Sequence, residues 1–513
     1  MHSSSLSITN LAHCSGKVTE RLPPEVLCLI CQAVEESPPD GRALVLHKHR
    51  KIQTILQIKN TCKSWHFRVS TAKLLFREIA FDTTIGSTIE SAQACLRLLG
   101  KGSAIPLHVF IAGSKGDMDK FTRLQDKVTR LLKRLSGFSP NIARCQVWDP
   151  SDRMCDLLKG RASTLEYLRI GVTGRSSLFT GPLPTLRSIA VTTSNSKLWR
   201  VSTLPALSNL NLSYAGSPTG ASLRALIDLL QGLPQLQALH LDNFQHWNHG
   251  KKFLPRAGPV LVTVRALYFT NCDFPPVLQY LRTPNLQTFH AHATYPDRDV
   301  APPPLFQDPA LLSRVPTAPI LGNRGLYGAS VAVCQERTKR SLAIEIFGKG
   351  LLFSVHFVWL RWRQDDWERY VDSLWRNLFQ RLRPSSKISL TVDFEGSSLA
   401  VLYPAFLSAP CVEALTVARG SLCEILQYLT VFDPLSYRLR LPALKRLDLT
   451  AYTFLTVQEG NQVRAYLQFR VKTNAPVKIM VLKSAWLDAR GFPWTSFMIA
   501  NSTEMLTTLV LRQ

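Results

Sequence analysis

A chain of 513 residues that is 45% hydrophobic has apolar material for several ordinary domains, or for one small domain and a repetitive array. Its formal net charge of +25 favours acidic partners, whether nucleic acid, an anionic membrane surface or an acidic protein. The start, "MHSSSLSITNLAHCSGKVTE", lacks a signal-length apolar run, and the apolar segment "GLLFSVHFVWLRW" is interrupted by His356 and Arg361. Roughly 20 apolar residues are needed to cross a bilayer, so the expectation is a cytoplasmic and/or nuclear chain with no membrane contact and reduced cysteines.

Residues 1–19 read as a disordered N-terminus. In "RLPPEVLCLICQAV", Pro23 and Pro24 suit a first helical turn, and Val26, Leu27, Ile30, Cys31 and Val34 fall on one face. A polar break, "EESPPDGR", and a basic stretch, "HKHRK", lead to a second helix in "KIQTILQIKNTCKSWHFRVS". There Ile55, Ile58, Cys62, Trp65 and Val69 recur at three- and four-residue steps. The segment "LLFREIAFD" alternates as a strand does and closes a helical module over 20–82. So few apolar residues make a thin core, which a partner covering the leftover face would stabilise.

The three pieces "LPPEVLCLICQAV", "ILQIKNTCKSW" and "LLFREIAFD", in that order, resemble an F-box of the form common in fungal F-box proteins. The stretch from Glu35 to Lys51 departs from that family by being longer and more basic. The resemblance implies docking on the Skp-type adaptor of a cullin RING ubiquitin ligase, with Leu22, Pro23, Val26, Leu27, Ile30, Ile55, Ile58, Cys62 and Trp65 forming or supporting the adaptor-binding face.

Beyond residue 83 a short pattern recurs: apolar, two variable, apolar, one variable, apolar. It is clearest in "LPTLRSIAV", "LPALSNLNL", "LPQLQALHL", "TPNLQTFHA", "APCVEALTV" and "LPALKRLDL", with weaker copies in "STLEYLRIG", "VTVRALYFT" and "EMLTTLVLR". The anchors Leu165, Leu186, Leu207, Leu236, Val264 and Leu286 are 21, 21, 29, 28 and 22 residues apart, at or near the step of a leucine-rich repeat. Return helices are readable in "ASLRALIDLLQGL" and "DDWERYVDSLWRNLFQRL", and helix-then-strand pairs extend the array back to about residue 88. The predicted fold is α/β: a small helical F-box followed by an irregular leucine-rich-repeat solenoid, similar to the degenerate repeats that follow F-boxes in fungal proteins. The array divides into residues 83–294 and 324–513 around a proline-rich loop or linker at 295–323, with further strands in "SLAIEIF", "KISLTVDF" and "VKIMVLK".

In such an array the variable residues line the open sheet surface. His240, Tyr268 and His290 occupy one position in consecutive repeats, with Asp242 and His292 one sheet step further, and they form the candidate target-binding stripe.

The cadence Cys28-x-x-Cys31 with Cys62-x-x-x-His66 resembles a zinc site, but Cys31 and Cys62 sit in the apolar stripes, so no metal and no cofactor is expected. Phosphate-loop and nucleophile-elbow motifs are absent, and a non-catalytic receptor subunit follows. In "DKVTRLLKRL" the cations Lys127, Arg130, Lys133 and Arg134 border an apolar helix face, the pattern of a solvated helix. Nucleic acid would prefer a continuous basic face with stacking aromatics, so an acidic protein is the favoured partner class. Two further readings stand beside the receptor: a repeat scaffold binding acidic proteins, its front helices serving as a cap, and a basic nucleic-acid-associated protein.

Overall fold

The computed structural model describes residues 42–60, 63–100, 103–113, 122–148, 163–172, 183–193, 204–215, 221–244, 247–248, 260–261, 263–272, 275–295, 326–335, 340–348, 351–359, 388–394, 412–419, 422–432, 439–450, 457–483 and 508–512. The chain forms two compact units, Met1–Leu236 and Gln237–Gln513, each a mixed α/β structure built on an open and mostly parallel sheet. The division falls inside the repeat "LPQLQALHL", whereas the proline density points to 295–323; of that segment all but Tyr295 lies outside the described residues.

In the amino-terminal unit, α1 (Arg42–Lys59) and α2 (Lys63–Thr71) precede a short 3-10 turn and β1 (Glu78–Asp82). Helix α3 (Gly86–Leu99), β2 (Leu107–Ala112), α4 (Thr122–Ser136), β3 (Ile142–Val147), β4 (Tyr167–Val172), β5 (Ser188–Thr193), β6 (Asn209–Tyr214) and α5 (Leu223–Gln231) follow. Strands β1 to β6 pair in chain order, all parallel. Side chains alternate across a strand, so Leu168 and Ile170, Ile189 and Val191, and Leu210 and Leu212 enter the core. The anchors Leu165, Leu186 and Leu207 join them there. In α5 Leu223, Leu226, Leu229 and Leu230 are buried, the face expected from their spacing, and in α4 Val128, Leu131 and Leu135 are buried while Arg130, Lys133 and Arg134 stay exposed.

The front of this unit differs from its expected form. Helix α1 runs from Arg42, so "HKHRK" is part of it, and the single expected second helix is two helices; the expected first helix, in "RLPPEVLCLICQAV", lies outside the described residues. Lys48 and His49 are buried at 8% and 6% exposure because α1 lies on β1, where Glu78 accepts a hydrogen bond from Lys48 Nζ at 3.2 Å. Strand β1 pairs with β2 throughout its length, so "EIAFD" begins the sheet as well as ending the helical segment.

The carboxy-terminal unit contains β7 (Ala238–Asp242), β8 (Ala266–Thr270), a one-turn helix α6 (Pro275–Tyr280), β9 (Thr288–Tyr295), β10 (Leu326–Gln335), β11 (Arg340–Gly348), β12 (Leu351–Trp359), β13 (Ile388–Phe394) and β14 (Val412–Arg419). It ends with α7 (Leu422–Leu429), β15 (Arg446–Asp448), α8 (Val457–Lys472), β16 (Ile479–Lys483) and β17 (Thr508–Arg512). Its strand order is β7-β8-β9-β12-β11-β10-β13-β14-β15-β16-β17, parallel except where β11 runs antiparallel between β10 and β12. The parallel neighbour of β9 is therefore β12 and not the next strand in the chain. Phe269, Phe289 and Phe353 line up across these strands in the core, with Phe289 and Phe353 stacked at 5.2 Å. The apolar run "GLLFSVHFVWLRW" contributes β12, whose Phe353, Val355 and Phe357 are fully buried. Among the described residues no helix is long and apolar enough to cross a membrane.

Candidate functional site

Because the pattern residues of β7, β8 and β9 are in phase, their outward residues fall in rows. Tyr268 pairs with His240 on one side and His290 on the other, and Thr270 pairs with Asp242 and His292 in the same way. Parallel strands lie about 4.8 Å apart, which brings the rings within reach of one another. The ring centroids are 5.9 Å apart for His240 and Tyr268 and 6.4 Å for Tyr268 and His290, both pairs tilted. His240 Nε2 and the Thr270 hydroxyl share a hydrogen bond of 3.1 Å. The five expected residues thus share one half-buried face of one unit.

The β12 strand extends the row. Ser354 stands beside His290 and His356 beside His292, the two histidine rings 5.1 Å apart. On β11 the exposed Glu345 pairs with Ser354. Ser354, His356 and Glu345 were not part of the expected stripe, because the order in which strands pair is not the order in which they occur. The signal that could have found them is the alternation in "LLFSVHFVW", with Ser354 and His356 set between buried residues.

Turn geometry ends the row. Asn243 and Asn271 follow β7 and β8 with φ of 61° and 48°, the left-handed region that asparagine tolerates. The amide of Asn243 donates to the Thr270 carbonyl, and that of Asn271 to the His292 carbonyl, tying each strand end to its neighbour.

Burial holds the His240 imidazole below its ordinary value, with His290 acting in the same direction and Asp242 opposing. Burial likewise lowers His290, helped by His292 and opposed by Glu345. A neutral imidazole carries one donor and one acceptor, and the tyrosine hydroxyl carries both. The row therefore offers hydrogen-bonding groups and ring faces at fixed strand spacing, which is recognition chemistry.

The expected adaptor face divides. Leu22, Pro23, Val26, Leu27, Ile30 and Cys62 lie outside the described residues. Ile55 is buried in α1 at 2% exposure and Ile58 is half-buried, so Ile55 supports the helix from inside and is not itself available to a partner. Trp65 lies in α2. Two large apolar side chains of the same segment stand in solvent, Phe67 of α2 at 71% exposure and Leu74 of the 3-10 turn at 61%. Of the zinc-like cadence, Cys28, Cys31 and Cys62 lie outside the described residues, and His66 is exposed on α2. Among the described residues no three of His, Cys, Asp and Glu are grouped to hold a metal ion.

No protein-family model matches this chain, and no curated protein matches it.

Proposed function

We propose that this chain is the substrate-recognition subunit of a Skp/cullin/F-box ubiquitin ligase, docking on the adaptor through its front helices and binding a target protein through an irregular leucine-rich-repeat array. The chain contributes proximity: it raises the local concentration of a target lysine near the ubiquitin-carrying enzyme and leaves the chemistry to its partners. The observation that carries the docking half is the exposure of Phe67 and Leu74, large apolar groups beside the "CKSW" end of the F-box-like pattern. The target half is supported by the row His240, Tyr268 and His290, with Asp242 and His292, presented along one sheet face.

The test is co-elution of the full chain with a Skp-type adaptor. Phe67→Asp with Leu74→Asp removes co-elution while the far-ultraviolet circular dichroism stays unchanged; co-elution at full stoichiometry in that double variant sinks the docking assignment. A second reading, a non-catalytic scaffold for acidic proteins whose front helices cap the sheet, is favoured by one observation. Helix α1 is joined to β1 by Arg42–Asp82 and Lys48–Glu78 ion pairs and buries Ile52 and Ile55. A repeat array needs its terminal apolar face covered. A chain lacking residues 1–76 separates the two readings: loss of solubility supports the cap, and a soluble, folded, adaptor-blind remainder supports the docking module.

A further inference from the structure

The sheet of the amino-terminal unit carries a different chemistry on its outward side. In register, His108 of β2 pairs with Arg144 of β3 and Arg144 with Tyr167 of β4, while Gln146 pairs with Arg169. Alternation puts all five on one face, and Trp148, two residues past Gln146, shares it with the Arg169 guanidinium 6.0 Å over its ring. Helix α1 borders the same face, where Lys48 Nζ stands 5.9 Å over the Phe110 ring.

The charges here do not cancel. His108 feels Arg77, Arg144 and Lys48, with Glu78 opposing them. That carboxylate is engaged by Lys48 at 3.2 Å and Lys51 at 3.7 Å. Arg77 and Arg144 are both exposed, and neither pairs with a carboxylate among the described residues. A chain of net charge +25 thus places guanidinium groups together on one strand-spaced face.

We propose that this face, centred on Arg144 with Arg169 and Arg77 around it, is a docking surface for an extended acidic segment of a partner protein. A guanidinium presents paired donors in the geometry of a carboxylate, and Arg144 is exposed with no carboxylate partner among the described residues. Nucleic acid fits less well. Base stacking needs an open aromatic face, and one side of the Trp148 ring already faces the Arg169 guanidinium at 6.0 Å. The inference does not rest on the adaptor-docking reading, since it uses none of that reading's residues.

The probe is a fluorescent oligoglutamate peptide, titrated with full-length chain and followed by anisotropy. The wild-type chain binds it, and affinity falls as salt is added. Arg144→Glu weakens binding by about fivefold, the size of a lost exposed ion pair plus the repulsion put in its place, whereas Arg130→Ala, at an exposed position of α4, leaves it unchanged. If Arg144→Glu does not fold, the wild-type chain still answers: oligoglutamate protects Arg144 from phenylglyoxal modification, read by mass spectrometry. An Arg144→Glu chain that folds and binds with wild-type affinity, an unprotected Arg144, or no binding by the wild type overturns the proposal. So does a single-stranded DNA oligonucleotide of matched charge that binds more tightly and loses that affinity in Arg144→Glu.

Discussion

The two units build their inner sides alike and differ in one buried charge. On the inner side, Leu168 and Ile189 of one and Leu267 and Phe289 of the other occupy the same alternating positions and are equally buried. The amino-terminal unit then holds its inner charges as ion pairs: the fully buried Asp82 carboxylate accepts from Arg42 and also from the Thr84 amide and hydroxyl. The carboxy-terminal unit repeats that device at Asp448, which accepts from Arg446 and from the Thr450 amide and hydroxyl, and adds a guanidinium buried without a carboxylate. Arg470 of α8, at 0% exposure, donates to the carbonyls of Ala475, Arg440, Leu441, Pro442 and Leu444. Four of those carbonyls, from Arg440 to Leu444, belong to the turn before β15, the fifth following α8, and Leu441 in that turn has φ of 46°, a conformation a bulky residue adopts only under constraint. An ion pair joins two elements, whereas a guanidinium among carbonyls shapes a loop.

Removing the shaping charge has the largest expected effect. Arg470→Met leaves five carbonyls short of a donor and releases the Leu441 turn, costing about 4 kcal/mol in urea unfolding; a cost near zero would mean that the turn holds itself. The shared inner side comes next: Leu168→Ala and Leu267→Ala each cost about 3 kcal/mol, and a large difference between them would show that the two cores are not equivalent. Asp82→Ala follows at about 2 kcal/mol, less than Arg470→Met because Arg42 is half-exposed and water can take over its donors.

The smallest effect separates the outer faces by pH. His240 and His290 are held below their ordinary value of 6.5 by burial, so the unfolded chain binds protons that the folded one refuses. Their contribution to stability is present above that value and is lost as pH falls through it. His49 and His108 of the amino-terminal unit are lowered as well, also by burial first. The urea midpoint therefore falls between about pH 7.5 and about pH 5.5. In His240→Gln with His290→Gln the fall is shallower but persists through His49 and His108. An unchanged slope would remove the histidine row as a contributor.

Much of this was legible in the residues. The repeat anchors Leu165, Leu186, Leu207, Leu236, Val264 and Leu286 are all buried at the places their spacing implies, since an apolar side chain leaves water wherever the chain lets it. The core of the candidate row was legible for the same reason: in-phase repeats set His240, Tyr268 and His290 at one register. What local periodicity could not supply was everything that depends on partners distant in the chain. The pairing of β12 with β9 brings His356 to His292 across the β10–β11 hairpin. The seating of α1 on β1 turns Lys48 and His49 of a basic stretch inward. Arg144 and Arg169 are 25 residues apart and read as separate surface cations until β3 and β4 pair. The sequence by itself determined which side of each strand faces the core, because that choice is made by the residue and its neighbours; tertiary structure alone decided which strands lie side by side, and so which outward residues act together.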